Sequence, residues 1–314
     1  MADAIASLGY FSGINNVDDH IRLAPLPVKV GAGGYKAAYP LTRARNVDID
    51  NTYAISSRDG SELLIPGKDV HSAWNDGTFT DGICLFVDGT SLFLWNFDFT
   101  VTELLSGLTN TARMSYASVN DRVYMTNGTY IGYYSKLEMH SLRNPNMKFK
   151  VPLPSGQLIA YFKGHFLVAQ GPVVYIADAL CDHYDMRTGF VVFEKDVTML
   201  RPVENGIYAT AGNTYYLYVK KDFADDPDDF KKEFVLSSEV VPGSDVLIDG
   251  KYVGDGIEGF VAIWTTFEGV CVGDNKGVAS MVTVGRYRLR HKKAIAAATI
   301  RNQNGQVHYL ATLE

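Results

Sequence analysis

Hydrophobic and polar residues along this chain fall into short apolar runs, and the runs come in pairs. Residues 83–87 and 91–95 make the first clear pair, with Asp88 and Gly89 between them. Runs of this kind, rich in Val, Ile, Phe and Tyr and bounded by Gly, Asn or Asp, predict β-strands joined by tight turns. Asp-Gly and Asn-Gly favour two-residue hairpins because both residues tolerate positive φ. The pattern recurs at 122–125 and 130–134 around Asn127 and Gly128, and at 165–169 and 173–176 around Gly171 and Pro172. It recurs again at 206–209 and 215–219 around Gly212 and Asn213.

The turn glycines Gly89, Gly128, Gly171 and Gly212 are separated by 39, 43 and 41 residues. A unit of ~40 residues with a central hairpin is the spacing of a propeller blade. Each hairpin supplies the two middle strands of a four-stranded blade. The weaker runs 101–105 and 190–193 complete the blades. The period then becomes irregular. The next hairpin is placed at 269–272 with Gly277 near its turn, and the last at 299–301 and 307–311 around Asn304 and Gly305. An Asp- and Lys-rich insertion over 220–232 explains part of the gap. The expected fold is all-β: a β-propeller of about five or six blades over 51–314, with an extended N-terminal arm over 1–50. A β-sandwich or irregular barrel is the competing architecture. The run 52–55 is the expected partner of the terminal strand, because closure removes free edges.

The 314 residues are 46% hydrophobic and only 20% charged, with 19 Tyr, 16 Phe and 29 Gly. The formal net charge of −6 argues against whole-molecule attraction to nucleic acid or an anionic membrane. Cys84, Cys181 and Cys271 form neither a CxxC pair nor a zinc pattern, which reads as buried free thiols. No signal peptide and no membrane-spanning run is expected.

Candidate chemistry is sparse. Gly31, Gly33, Gly34 and Lys36 superficially resemble a phosphate loop, but the spacing and the strand-to-helix context are wrong. Asp225, Asp226, Asp228 and Asp229 lack the alternation of a calcium loop and read as a charged loop tip. Cys181, Asp182, His183 and Asp185 cluster in sequence, yet nothing supplies a distant base or oxyanion donor, so an inter-blade loop is the plainer reading. Neither a sialidase Asp-box nor a WD or kelch signature repeats. No cofactor and no metal is expected, and the chain is expected not to be an enzyme. A basic island stands out: Arg286, Arg288, Arg290, Lys292 and Lys293. On a strand the three arginines share one face, opposite Tyr287 and Leu289. They are a candidate contact for an acidic partner, or more weakly for nucleic acid. A solvated strand face is the competing reading.

The arm carries a resemblance. Gly13, Ile14, Asn15, Asn16, Val17 and Asp18, then 44–50, then Ser57, Arg58, Asp59 and Gly60, resemble the opening of a family of bacteriophage virion proteins. Residues 201–208 and 300–306 resemble that family's blades. The likeness covers most of the chain; an insertion over 31–39 departs from it. It implies a structural component of a phage tail or tail tip, assembled in the host cytoplasm and located in the virion. It also implies a docking scaffold between virion proteins, tail or connector subunits, in a symmetric multi-copy assembly. Tyr10, Phe11, Ile14, Val17, Tyr35 and Tyr39 are then the expected arm contacts. A receptor- or glycan-binding module displayed on the virion is the alternative.

Overall fold

The computed structural model describes residues 10–14, 16–18, 23–29, 34–41, 47–49, 55–57, 66–75, 84–96, 98–109, 112–219, 230–254, 257–289, 295–303 and 306–313. The arm forms three strands, β1 (Tyr10–Ile14), β2 (Leu26–Lys29) and β3 (Tyr35–Leu41), in the order β1-β3-β2. A small hairpin follows, β4 (Val47–Ile49) with β5 (Ile55–Ser57). It pairs residues on both sides of the expected boundary between arm and body. β5 pairs with β4, and residues 52–54 of the expected closing run lie outside the described residues.

Five four-stranded antiparallel blades follow in chain order. Blade 1 is β6 (Val70–Asn75), β7 (Cys84–Asp88), β8 (Ser91–Trp95) and β9 (Val101–Leu105). Blade 2 is β10 (Ser115–Val119), β11 (Arg122–Thr126), β12 (Ile131–Ser135) and β13 (Glu138–Ser141). Next comes β14 (Lys150–Pro152), then β15 (Leu158–Phe162), β16 (His165–Gln170) and β17 (Val173–Ile176) of blade 3. The short strand β18 (His183–Asp185) pairs back with β14, and β19 (Phe190–Val192) completes blade 3. Blade 4 is β20 (Met199–Pro202), β21 (Ile207–Ala211), β22 (Asn213–Val219) and β23 (Phe230–Leu236). Blade 5 is β24 (Val246–Asp249), β25 (Phe260–Thr266), β26 (Gly269–Gly273) and β27 (Ala279–Met281). A hairpin of β28 (Ala296–Gln303) and β29 (Gln306–Leu313) ends the described chain.

The architecture is a β-propeller. First strands of successive blades lie side by side, β10 against β15 and β15 against β20. Middle strands are covered on both faces by neighbouring blades, which is why they read as unbroken apolar runs. In β16 all but Gln170 are buried. Outer strands such as β9 and β23 are largely exposed. The core is therefore a series of inter-blade layers. Leu85, Leu92, Val123 and Met125 join blades 1 and 2. Tyr124, Ile159 and Phe166 join blades 2 and 3. Leu167, Val174, Ile207 and Leu217 join blades 3 and 4. Met199, Tyr208, Trp264 and Cys271 join blades 4 and 5. Ile300, Val307 and Tyr309 of the terminal hairpin pack on Ile248, Val261 and Ile263, so this hairpin takes the next blade position. Arg113, just before blade 2, donates a hydrogen bond to the backbone of Ala296 in that hairpin.

Polar latches reinforce the layers. The Ser72 hydroxyl accepts the Met114 N–H at 2.9 Å, and the Ser115 hydroxyl accepts the Ile159 N–H at 3.0 Å. Arg201 Nε donates to Asp245 at 2.7 Å between blades 4 and 5. The fifth unit differs from the expected register. Its middle turn is at 267–268, between β25 and β26, whereas Gly277 lies in the following turn, before β27. The expected 220–232 insertion is shorter as a loop, because Lys231 and Lys232 belong to β23. Asp225, Asp226, Asp228 and Asp229 lie outside the described residues. All three cysteines are free, and burial pushes the Cys271 thiol up to about 11.

Candidate functional site: where the arm meets the basic segment

The arm and the basic island, far apart in sequence, meet through Asn16. Its backbone N–H donates to the Arg286 carbonyl at 2.9 Å. Its side-chain amide donates to the Arg288 carbonyl at 3.0 Å, and its Oδ1 accepts the Arg288 N–H at 2.9 Å. One asparagine thus reads both backbone groups of Arg288, as a paired strand would. The basic segment itself is not the expected strand. Residues 282–286 are turns and 287–289 are irregular. The alternation of faces nevertheless holds: Arg286 and Arg288 are exposed, while Tyr287 and Leu289 are partly covered. Leu289 packs by Val241 and Ala296, and its N–H donates to the Phe267 carbonyl. Arg290, Lys292 and Lys293 lie outside the described residues.

On the arm, β3 presents Tyr35, Ala37 and Tyr39 on one face, all exposed, with Tyr35 at 74%. Ala38, on the opposite face, is fully buried. β1 runs parallel to β3, with Tyr10 beside Ala38, Phe11 beside Tyr39 and Ile14 beside Leu41. Val17 is exposed next to the Asn16 anchor. Lys36 sits within strand β3, so the glycines before it do not lead into a helix. That removes the phosphate-loop geometry.

The cluster near Cys181 is an ion-pair clip. Asp185, at the end of β18, accepts Arg187 Nε at 2.9 Å, Nη2 at 2.7 Å and the Arg187 backbone N–H at 3.0 Å. Lys150 on β14 reaches Asp178 at 2.7 Å and Asp185 at 3.4 Å. The guanidinium of Arg187 lies over the Phe149 ring, 4.2 Å from its centre. His183 Nε2 is 3.4 Å from Asp178. Desolvation, then Asp178 and Asp182, push the Cys181 thiol up, so it stays protonated at neutral pH and is not an activated nucleophile. The bonds from Arg187, with help from Lys150, hold the Asp185 carboxyl well below the usual carboxylate range. Its contribution is then complete above the unfolded value of about 3.9 and disappears as pH falls toward the folded value. Asp185→Asn should accordingly lower the urea midpoint at pH 7. The gap to the unsubstituted chain should narrow as pH drops below about 4. A gap independent of pH would rule out this ion pair as its source.

Sequence reasoning singled out both contact segments but missed Asn16 as the residue that joins them. It also missed Lys150 and Arg187 as partners of Asp185.

No family model matches the chain, and no curated protein matches it. Among solved structures it is similar to virginiamycin B lyase from Staphylococcus aureus, at 12% identity and a TM-score of 0.46, over 94% of each chain. It is also similar to a gluconolactonase from Xanthomonas campestris, at 12% identity and a TM-score of 0.40, over 74% of this chain and 82% of that one. At such identities the likeness bears on fold alone. It does correct the expectation that the chain is not an enzyme. Both of these similar proteins are enzymes, so a chain of this fold without a familiar motif is not thereby excluded from catalysis.

Proposed function

We propose that this chain is a structural component of a bacteriophage tail or tail tip, a docking scaffold between virion proteins in a multi-copy assembly. The observation that carries the reading is the arm. Asn16 pins it to the body through backbone-directed bonds, while Tyr35 and Tyr39 face outward from β3. Tyrosines on a short sheet supply contact area at little cost in side-chain entropy. Arg286 and Arg288 flank the anchor and give a polar rim. The resemblance of the arm's motifs to those of phage virion proteins supports the same reading, and the −6 net charge is compatible with a protein partner.

Mass spectrometry of purified particles should find the chain in fixed stoichiometry, and particles made without its gene should stop at an incomplete tail. Normal particles that lack the chain would end this reading. At the arm, Asn16→Ala should speed limited proteolysis within the first 50 residues, with Asn16→Asp intermediate because it keeps only the acceptor. Equal cleavage in all three chains would mean that Asn16 does not anchor the arm.

A further inference from the structure

The last blade position is half built. β28 and β29 stand there as first and second strands. Ile300 of β28, with Val307 and Tyr309 of β29, packs on Ile248, Val261, Ile263 and Val272 of blade 5. The Tyr309 hydroxyl donates to the Ser244 carbonyl at 2.6 Å. In each of the five blades the second strand (β7, β11, β16, β21 or β25) has a partner on both edges. Among the described residues β29 pairs with β28 alone. Alternate residues of a strand face each way, so about four of its residues turn their N–H and C=O groups toward the unpaired edge.

Stable proteins guard such edges with charge or proline, or keep them short. The outer strands follow that rule. β23 carries Lys231, Lys232 and Glu233, β9 carries Glu103 and β13 carries Glu138. β19 and β27 have only three residues each. β29, by contrast, runs for eight residues and contains neither proline nor any Asp, Glu, Lys or Arg. A long unguarded edge is a template for another strand.

We propose that β29 receives the β4–β5 hairpin of a second copy of the chain, which supplies the third and fourth strands of the last blade. What the blade lacks is two antiparallel strands. β4 with β5 is a two-stranded antiparallel sheet with no further strand partner among the described residues. Its place in the chain is right, because it directly precedes blade 1, where the closing strands of a ring fall. Its sequence suits a half-covered strand, since Val47, Asp48 and Ile49 alternate apolar and polar. A chain's own hairpin acts at an effective concentration that no neighbour matches, unless its tether forbids the approach. In the single chain the two sheets stay apart, and Asn16 fixes the segment upstream of the hairpin to Arg286 and Arg288. The hairpin on β29 is therefore a neighbour's. Passing a hairpin from copy to copy makes a head-to-tail contact, which closes into a ring or grows as a filament. This deepens the multi-copy scaffold proposed above by naming the link between its copies.

Two variants of the full chain separate donor from acceptor. Ile49→Asp breaks the alternation of β4 and leaves β29 unchanged. Thr312→Lys places a guarding charge at an exposed position of β29 and leaves the hairpin unchanged. In sedimentation velocity the unsubstituted chain should pass beyond the dimer as concentration rises. Each variant alone should stay monomeric at tenfold higher concentration. An equimolar mixture should form a dimer and stop there, because one kind of link survives. Hydrogen exchange on the unsubstituted chain, which needs no variant, should protect 306–313 in oligomers and lose that protection on dilution. Protection of these amides in the monomer would mean that the chain's own residues cover the edge, and would overturn the proposal. So would a mixture that stays monomeric, oligomers that survive both changes, or an unsubstituted chain that never associates. Such links in a chain absent from particles would remove the tail reading alone. A virion chain whose variants fail to complement would remove this link alone.

Discussion

Gly273→Ala should destabilise the chain by about 3 kcal/mol, at the upper end of the range for overpacked cores. Gly273 ends β26 where blades 4 and 5 press together. A Cβ there would lie 2.5 Å from Tyr208 Cζ and 2.9 Å from Trp264 Cζ3. Neither ring can easily give way. Tyr208 and Trp264 are both fully buried, with ring centres 5.3 Å apart. The Tyr208 hydroxyl is tied to the Asp274 carbonyl at 2.8 Å and lies 3.1 Å from that of Val278. Burial pushes that hydroxyl's titration up, so it remains a donor across the working pH range. Urea denaturation of Gly273→Ala, Tyr208→Ala and the double variant measures the coupling. If the methyl and the ring compete for one space, the double variant should cost at least about 1 kcal/mol less than the sum of the single changes. Strict additivity would show that they do not.

The hairpins were legible because paired, nearly unbroken apolar runs and a glycine turn agree at each of the first four units. Where the agreement fails, so does the reading. In blade 5 the middle turn is Phe267 and Glu268, without the glycine signal, while Gly277 marks the next turn at φ 89°. Reading the glycine moved the hairpin by one strand.

At the candidate site, sequence alternation gave the right faces and the wrong element. Arg286 and Arg288 point out and Leu289 points in, yet the ladder that normally enforces this pattern is replaced by one side chain, Asn16. An asparagine in a Gly- and Asn-rich stretch reads as a turn residue. Its partner lies 272 residues away, and no local pattern encodes that distance. The Asp185 clip was half legible. The acidic and histidine residues cluster in sequence, but the cations come from β14 and from the turn after β18, so the loop resembled a bare reactive cluster until its partners were in place.

Polar latches between blades were the least legible feature, because a threonine in an apolar strand looks like any β-branched residue. Thr126 ends β11 and is fully buried. Its hydroxyl lies 2.8 Å from the carbonyls of both Tyr130 and Gly156, and it accepts the Gly156 N–H at 3.0 Å. Gly156 leads into blade 3, where a Cβ would lie against the Ala169 backbone, so this segment cannot shift to find another partner. Thr126→Val preserves shape and strand preference but strands the buried Gly156 N–H and removes the one hydroxyl donor facing the Tyr130 and Gly156 carbonyls. The expected loss is about 2 kcal/mol. Thr126→Ser keeps the hydroxyl and gives up one methyl group, for about 1 kcal/mol or less. Chemical denaturation should therefore rank serine above valine. The reverse order would mean that blades 2 and 3 are joined at this point by shape and not by the hydrogen bond.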